Sequence, residues 1–485
     1  MSTPLQLAEE TTRGPVDRRW MALAIIALAQ LMIALDATIV SIALPWAQRD
    51  LGASDAERQW VITAYTLAFA GLLLLGGRIA DTIGRKRTFI IGLAGFALAS
   101  AIGGSAGSFL LLLGSRAAQG AFAALLAPTA LSMIAVTFTQ PGERARAFAL
   151  YGAIAGSGAA IGLLLGGVLT QYFGWRWCLY VNVPIAVAAA LGGWRILSGG
   201  GGGQSQRLDL PGLLFATGGL VAIVYGCTQV VSSGWRSGTV ISFLLAGVVL
   251  LGAFVVREAR TNAPLLPLQI VLDRNRGGAY LAAAFAIAGM FGAFLFLTYY
   301  LQVVLRYSPL QAGLAFLPLT LASQAGSWGI ASVLMPRVPA RWIMAPGALT
   351  AAAGMLILTQ IQVDSGYLTH VLPAEILLGI GIACVMAPAF NIGTRGVDPR
   401  QAGVAAATVN TATQIGASLG TALLNTIAAS ATAAYLAGLR PSAGVINQAL
   451  VHGYAVAAAW AAGVLVVGAI TTALLIDAGR STRHS

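Results

Sequence analysis

The chain has 485 residues, of which 58% are hydrophobic and only 9% charged, with a formal net charge of +12. A soluble globule of this length needs more polar surface to cover itself, so the composition excludes one and points to lipid. The basic surplus does not indicate nucleic acid, because Lys and Arg are scattered between apolar runs rather than gathered on one face.

A helix needs roughly 20 mostly apolar residues to cross the hydrocarbon core. Such runs are expected at 20–45, 58–80, 88–106, 108–135, 146–169, 176–197, 209–231, 238–256, 277–303, 309–334, 342–361, 369–393, 402–430 and 451–476, which makes an all-α integral membrane protein of fourteen transmembrane helices. The first run is too long, and lacks the small-residue cleavage site, for a signal peptide, so an uncleaved first span is expected. Placing the N-terminus in the cytoplasm puts 21 of the 28 Lys and Arg inside, six outside and one, Arg116, within a helix. That is the positive-inside asymmetry, with both termini cytoplasmic. The Gly run SGGGGGQSQR (198–207) and the charged, Pro-containing 257–278 are expected breaks. They divide the chain into an N-terminal six-helix bundle (1–197), a cytoplasmic linker with an inserted helix pair, helices 7 and 8 (198–276), and a C-terminal six-helix bundle with its tail (277–485). Two such bundles place a substrate site near the midplane between them.

Ionisable groups deep in a bilayer cost several kcal/mol unless they are paired or functional. Three qualify: Asp36, Arg116 and Glu375. Asp36 lies nine residues from the outer end of the first span and Arg116 eight from that of the fourth, so at about 1.5 Å per residue they share a depth. Glu375, in the outer third of the twelfth span, reads as a second proton site, a substrate carboxylate or a surface group hydrated by water. Uncharged candidates for the cavity are Trp60, Tyr65, Phe69 and Gln119 in the first half, with Tyr299, Gln302, Gln324, Trp328, Asn391, Asn410 and Gln414 in the second. Amides in hydrocarbon need partners, and a water-filled cavity is expected to supply them. The fifth span carries Gly152, Gly156, Gly162, Gly166 and Gly167, bare surfaces over which a neighbouring helix can approach and move.

The second-to-third loop, GGRIADTIGRKR (76–87), resembles the signature loop of the major facilitator superfamily. Gly77 and Asp81 stand one turn apart, so the pattern lets a neighbouring helix come close. The resemblance implies that Gly77, Asp81, Gly84 and Arg85 form a cytoplasmic latch stabilising the outward-open state. VLMPRVPARW (333–342) is a weaker echo without the Asp. LDATIVSIALP (35–45), RAAQGAFAALLAPTALSMI (116–134) and GAIAGSGAAIGLLLGGVLTQYFGWRWCLYVNVPI (152–185) look like the fourteen-helix drug:proton antiporter family, and APLLPLQI (263–270), YYLQVVLRYSPLQAGLAFLP (299–318) and AGVAAATVNTATQIGASLGTALL (402–424) agree. Two departures stand out: Leu163 follows Gly162 where the antiporter motif has Pro, and Ser41 replaces the usual Asn. The first removes a kink-forming residue from the gating helix.

The resemblance implies a proton-driven exporter of small amphipathic or hydrophobic compounds in a bacterial cytoplasmic (inner) membrane, working as a monomer. Its first-helix Asp and fourth-helix Arg fall on Asp36 and Arg116, a carboxylate and a switchable partner. No cofactor is expected, since the proton gradient supplies the drive. An embedded enzyme is disfavoured, because His370, His452 and His484 lie near outer span ends or in the tail and no nucleophile or metal cluster accompanies them. No Walker loop appears, and Cys178, Cys227 and Cys384 have no paired spacing. The main rival is a dedicated exporter of one metabolite, such as an antibiotic or siderophore, since a pocket of aromatics and amides serves both.

Overall fold

The computed structural model describes residues 14–54, 57–138, 140–197, 209–261, 264–266, 268–394, 402–440 and 442–477. The Gly-rich linker at 198–207 and the C-terminal tail lie outside the described residues. No strand occurs among the described residues. The helices are α1 (Gly14–Leu51), α2 (Trp60–Ile83), α3 (Arg85–Gly104), α4 (Phe109–Thr137) and α5 (Pro141–Tyr172). Then come α6 (Trp177–Ile196), α7 (Leu210–Ser233), α8 (Gly238–Arg260) and α9 (Arg274–Val304). The interrupted α10 (309–334) precedes α11 (Arg341–Leu358), α12 (Tyr367–Thr394), α13 (Ala402–Leu436) and α14 (Ala443–Leu475).

Among the described residues, twelve helices are long and apolar enough to cross a membrane. The other two expected spans fall short of that measure. The apolar stretch of α2 is Trp60–Leu73, and α10 breaks at Phe316 and again at the π-turn Gly326–Ala331. Large apolar side chains such as Leu98, Leu110, Leu214 and Val249 are more than 60% exposed. Such residues suit a lipid surface and would be a liability in water.

Helix starts follow local chemistry. Ser108, Asp209, Asp273, Ser308 and Ser442 each accept a hydrogen bond from a first-turn backbone N–H of the helix they precede, satisfying one of its orphan donors. Gly84 joins α2 to α3 with φ +95°, a left-handed conformation that favours glycine.

Packing is dense within the first six helices, with α1 on α5, α2 on α4 and α3 on α4 and α6. It is dense again in the last six, with α9 on α13 and α14, α11 on α12 and α14, and α10 on α12. Helix α7 packs on α8 and also reaches α2 and α13, so the inserted pair lies against both sets. The two sets meet along α1–α9, α2–α13 and α5–α10. The largest buried cluster crosses this boundary, bringing Ile39 and Ile42 of α1 and Leu163 of α5 together with Phe294, Tyr300 and Phe316. The described side-chain hydrogen bonds between the two sets lie at the end of the molecule carrying Gly52, opposite the end carrying Gly84.

Candidate functional site

Helix α1 presents Asp36 and α4 presents Arg116, and their packing brings the two into one sealed cluster. Arg116 Nη1 donates to Asp36 Oδ2 at 2.6 Å and to Gln119 Oε1 at 2.7 Å. Its Nε donates to the Val61 carbonyl at 3.1 Å. Gln119, one turn along α4, donates from Nε2 to Asp36 Oδ1 at 3.0 Å and to Ser100 Oγ at 2.7 Å. Asn182 of α6 donates to the same Asp36 oxygen at 2.7 Å. The guanidinium lies 4.5 Å from the centre of the Tyr65 ring. Asp36, Gln119, Asn182 and Ser100 are wholly buried and Arg116 is 1% exposed. Desolvating two ions costs several kcal/mol each, which mutual attraction repays only when the remaining hydrogen-bonding positions are filled. Here the carboxylate accepts three N–H bonds beside a formal positive charge. The expected meeting of Asp36 and Arg116 is what the structure contains, and Gln119 belongs to this network rather than to an open cavity.

Glu375 is also wholly buried, so the hydrated surface reading does not hold in this conformation: the first turn of α12 and α10 cover it. The Tyr367 hydroxyl lies 3.2 Å from its Oε2 and 2.7 Å from the Ala315 carbonyl. Its Oε1 is buried without a partner.

Among the candidate amides, Gln302 and Asn410 also have protein partners. Gln302 donates to the Ile42 carbonyl at 3.0 Å and accepts from Trp46 Nε1 at 3.1 Å, and the Tyr299 hydroxyl donates to Gln48 Oε1. Both therefore tie α9 to the end of α1. Asn410 is half-buried and donates to the Ala406 carbonyl of its own helix. Gln324 and Gln414 are half-buried, while Asn391 and Trp328 are exposed. Phe69 packs against Tyr65, ring centres 5.9 Å apart. Trp60 is half-buried and packs on Tyr225 of the inserted pair.

On α5 the glycines divide between two neighbours. A Cβ at Gly162 would stand 2.2 Å from Thr38 Oγ1 and 2.8 Å from the Leu35 carbonyl, and one at Gly166 2.9 Å from the Ile39 carbonyl, both against α1. Gly167 faces α10 instead, 2.7 Å from the Pro309 carbonyl. Gly152 faces open space, and the surroundings of Gly156 lie outside the described residues. With Leu163 in place of Pro, α5 runs unbroken from Pro141 to Tyr172.

In the signature loop, the close helix approach occurs one residue from where the motif pointed. A Cβ at Gly77 would meet only Pro128 Cβ at an ordinary 3.8 Å, whereas one at Gly76 would sit 2.0 Å from the Ala124 carbonyl. Neighbouring positions on a helix are about 100° apart, and Gly76 is the one turned to α4. Arg78 donates to the Pro264 carbonyl and Lys86 Nζ to the Trp194 carbonyl at 2.7 Å. Arg85 opens α3, and the Asp81 side chain lies outside the described residues. In the second-half echo, Arg341 pairs with Asp477 at 3.3 Å.

Residues 26–421 match the family model of the Major Facilitator Superfamily. The chain belongs to that superfamily. It is 53% identical over 467 residues to the puromycin resistance protein pur8 of Streptomyces alboniger, covering 96% of this chain and 93% of that one. It is 41% identical over 414 residues to the cephamycin export protein CmcT of Amycolatopsis lactamdurans, covering 85% of each. The crystal structure of the POT family transporter PepTSo superposes with a TM-score of 0.69 over 96% of this chain and 98% of that one, at 16% identity, a likeness of fold. The protein is thus a multi-pass membrane protein of a transporter superfamily.

Several residues of this major facilitator site escape a reading of the sequence. Asn182 and Ser100 complete the Asp36 network, but small neutral polar residues give no signal until packing turns them inward. Buried charge also extends beyond the three expected groups, to Arg58, Asp209 and Glu258 at helix ends, each 4–5% exposed. Arg58 lies over the Tyr299 ring at 3.9 Å and donates to Asn425 Oδ1 at 3.4 Å. Asp209 accepts from Arg257 at 2.7 Å, and Glu258 from the Leu266 N–H at 2.9 Å.

Proposed function

We propose that this chain is a proton-coupled exporter, a drug:proton antiporter of fourteen membrane helices working by alternating access in a bacterial cytoplasmic (inner) membrane. In this reading 1–197 and 277–485 are the two six-helix bundles, 198–276 supplies linker and inserted pair, and both termini are cytoplasmic. The observation that carries it is the sealed Asp36–Arg116 pair between α1 and α4. In this reading Asp36 exchanges its ion-pair partner Arg116 for a proton as the helices move. With the pair formed, the proton leaves to the cytoplasm; when rocking separates the pair, Asp36 takes a proton from outside as substrate departs.

The contacts joining the bundles at the Gly52 end, Trp46–Gln302, Gln48–Tyr299, Arg58–Asn425 and Gln171–Leu310, support a conformation closed to the outside. Gly77, Asp81, Gly84 and Arg85 serve as the opposite latch, and Gly156, Gly162, Gly166 and Gly167 as the sliding surface of the gating helix. Tyr65, Phe69, Gln324, Asn391, Asn410 and Gln414 offer aromatic and amide contacts to a small amphipathic substrate, and Glu375 a second proton carrier. Tyr299 and Gln302 become available to it once their contacts with α1 part.

A second reading, an exporter dedicated to one antibiotic-like metabolite, is favoured by relatives named for puromycin resistance and cephamycin export. A susceptibility screen of deletion and overexpressing strains separates the two: protection against many unrelated compounds supports the broad pump, protection against one class the dedicated exporter. Absence of any protection, together with no counter-transport in proteoliposomes, would remove both.

A further inference from the structure

The seam between α2 and α13 is closed, yet it is not apolar. Trp60 and Leu67 of α2 and Ile415, Leu419 and Ala422 of α13 pack around Leu220, Val224 and Cys227 of α7, while Asn425, which accepts from Arg58 just ahead of α2, marks the side of α13 turned to α2. Ser418 and Thr421 stand seven and four residues before Asn425 on that side of α13, and Gln59 and Thr63 follow Arg58 at the start of α2, one turn apart. All four are wholly buried. Both amide atoms of Gln59 and the hydroxyl oxygens of Thr63, Ser418 and Thr421 have no hydrogen-bond partner. The helices run antiparallel, and the Arg58–Asn425 bond sets their register. At about 1.5 Å per residue, Thr63 and Thr421 stand at nearly the same depth, with Ser418 one turn further in.

Buried polar groups are normally paired, and each unpaired one carries its full desolvation penalty. Five such atoms on one seam make the closed state costly there, while an open seam would satisfy them all. The reading above has this end open during the cycle. The seam then becomes a wall of the cavity, and the buried polar groups described on it, Gln59, Thr63, Ser418 and Thr421, are hydroxyls and an amide. That chemistry suits the neutral, hydroxyl- or amide-bearing part of a partner.

We propose that the α2–α13 seam is a hydrogen-bonding subsite, closed in this conformation, for the uncharged hydroxyl- or amide-bearing part of an exported molecule. It rests on the exporter reading and adds a substrate chemistry to it. The test uses reconstituted full-length protein and three probes: puromycin and lincomycin, which carry hydroxyl and amide groups beside a basic amine, and tetraphenylphosphonium, a cation with no hydrogen-bonding group.

Thr63→Val, Ser418→Ala and Thr421→Val remove hydrogen bonding at nearly constant shape, and replacing unpaired buried hydroxyls should raise Tm rather than prevent folding. The combined variant is expected to lose at least tenfold in kcat/KM for puromycin or lincomycin while tetraphenylphosphonium stays within twofold. Separately, Ser418→Cys should react with an impermeant maleimide from the outer face during turnover, more slowly when puromycin is present. Equal loss for all probes would make the seam a conformational element only, and overturn the subsite. So would no loss for any probe, a Cys at 418 that never reacts, or wild-type export confined to tetraphenylphosphonium. Wild-type protein that moves none of the three would overturn the exporter reading, and the subsite with it.

Discussion

Asp36→Asn separates a proton carrier from a structural ion pair. The substitution keeps the shape of the protonated acid, and an Asn oxygen can still accept from Gln119 and Asn182, the 3.0 and 2.7 Å bonds to Oδ1. What it removes is the charge and the Oδ2 acceptor opposite Arg116, where the Asn amide nitrogen now stands, while Arg116 retains Gln119 Oε1 and the Val61 carbonyl. Breaking a static buried pair by deleting one partner costs about 3–5 kcal/mol, because an uncompensated charge stays buried. A carrier must instead visit its neutral form in every cycle, so that form has to be folded and reachable. The proposed function therefore predicts that Asp36→Asn expresses, binds substrate and loses well under ~3 kcal/mol of stability, while pH-gradient-driven transport disappears. Thermal unfolding in nanodiscs and substrate binding measure the first part, and proteoliposome transport the second. A double-mutant cycle with Arg116→Gln sharpens it. A single variant that is severely destabilised and then rescued by the second substitution would make the pair a packing device and refute the reasoning.

Gly76→Ala should destabilise by about 1–3 kcal/mol through overpacking against the Ala124 carbonyl, whereas Gly77→Ala should be tolerated in thermal melts and, if the latch is real, betray itself only in transport. Gly162→Ala should behave like Gly76→Ala, being opposed by Thr38 and the Leu35 backbone. Gln302→Leu leaves the Trp46 N–H and the Ile42 carbonyl without their partner, so spin labels flanking the Gly52 end should move apart; unchanged distances would take Gln302 out of the seal. The Arg276 backbone N–H holds the Asp273 carboxyl below its ordinary range. Its contribution to stability is thus present above the unfolded-state pKa and is lost as pH falls through the lower folded value. Asp273→Ala should cost about 0.5–2 kcal/mol near pH 7, toward the lower end because the group is partly exposed, and less at a pH below the ordinary carboxylate range. Melts at the two pH values check this. Reporter fusions at Gly200 and Ser485 should both read cytoplasmic.

How much of this was legible in the sequence depends on what kind of information each feature needs. Hydropathy reveals spans because each must match a fixed thickness of hydrocarbon. It does not reveal the break of α10 at Phe316, which a local turn ahead of Pro318 produces inside an apolar run. Asp36 and Arg116 were legible because embedded charges are rare and helical rise gives their depth. Asn182 was not, since its relevance depends on how α6 is rotated against α1. The same rotation decides between Gly76 and Gly77, which the motif alone leaves one residue apart. Tyr299 and Gln302 look like cavity residues when read along one helix, and only the approach of α1 supplies them with partners. Arg58 stands at the edge of a span, where sequence gives no sign of burial, and Tyr299 of α9 and Asn425 of α13 cover it.

In the proposed cycle Asp36 carries the proton exchanged for the exported molecule. Proteoliposomes holding a pH-sensitive dye measure it most directly, with the vesicle interior and an imposed pH gradient standing for the two sides of the membrane. Wild-type protein should move protons when puromycin, or whichever compound the susceptibility screen identifies, is supplied on the opposite side, and Asp36→Asn should bind that compound yet move none. Undiminished substrate-driven proton movement by Asp36→Asn would contradict the account.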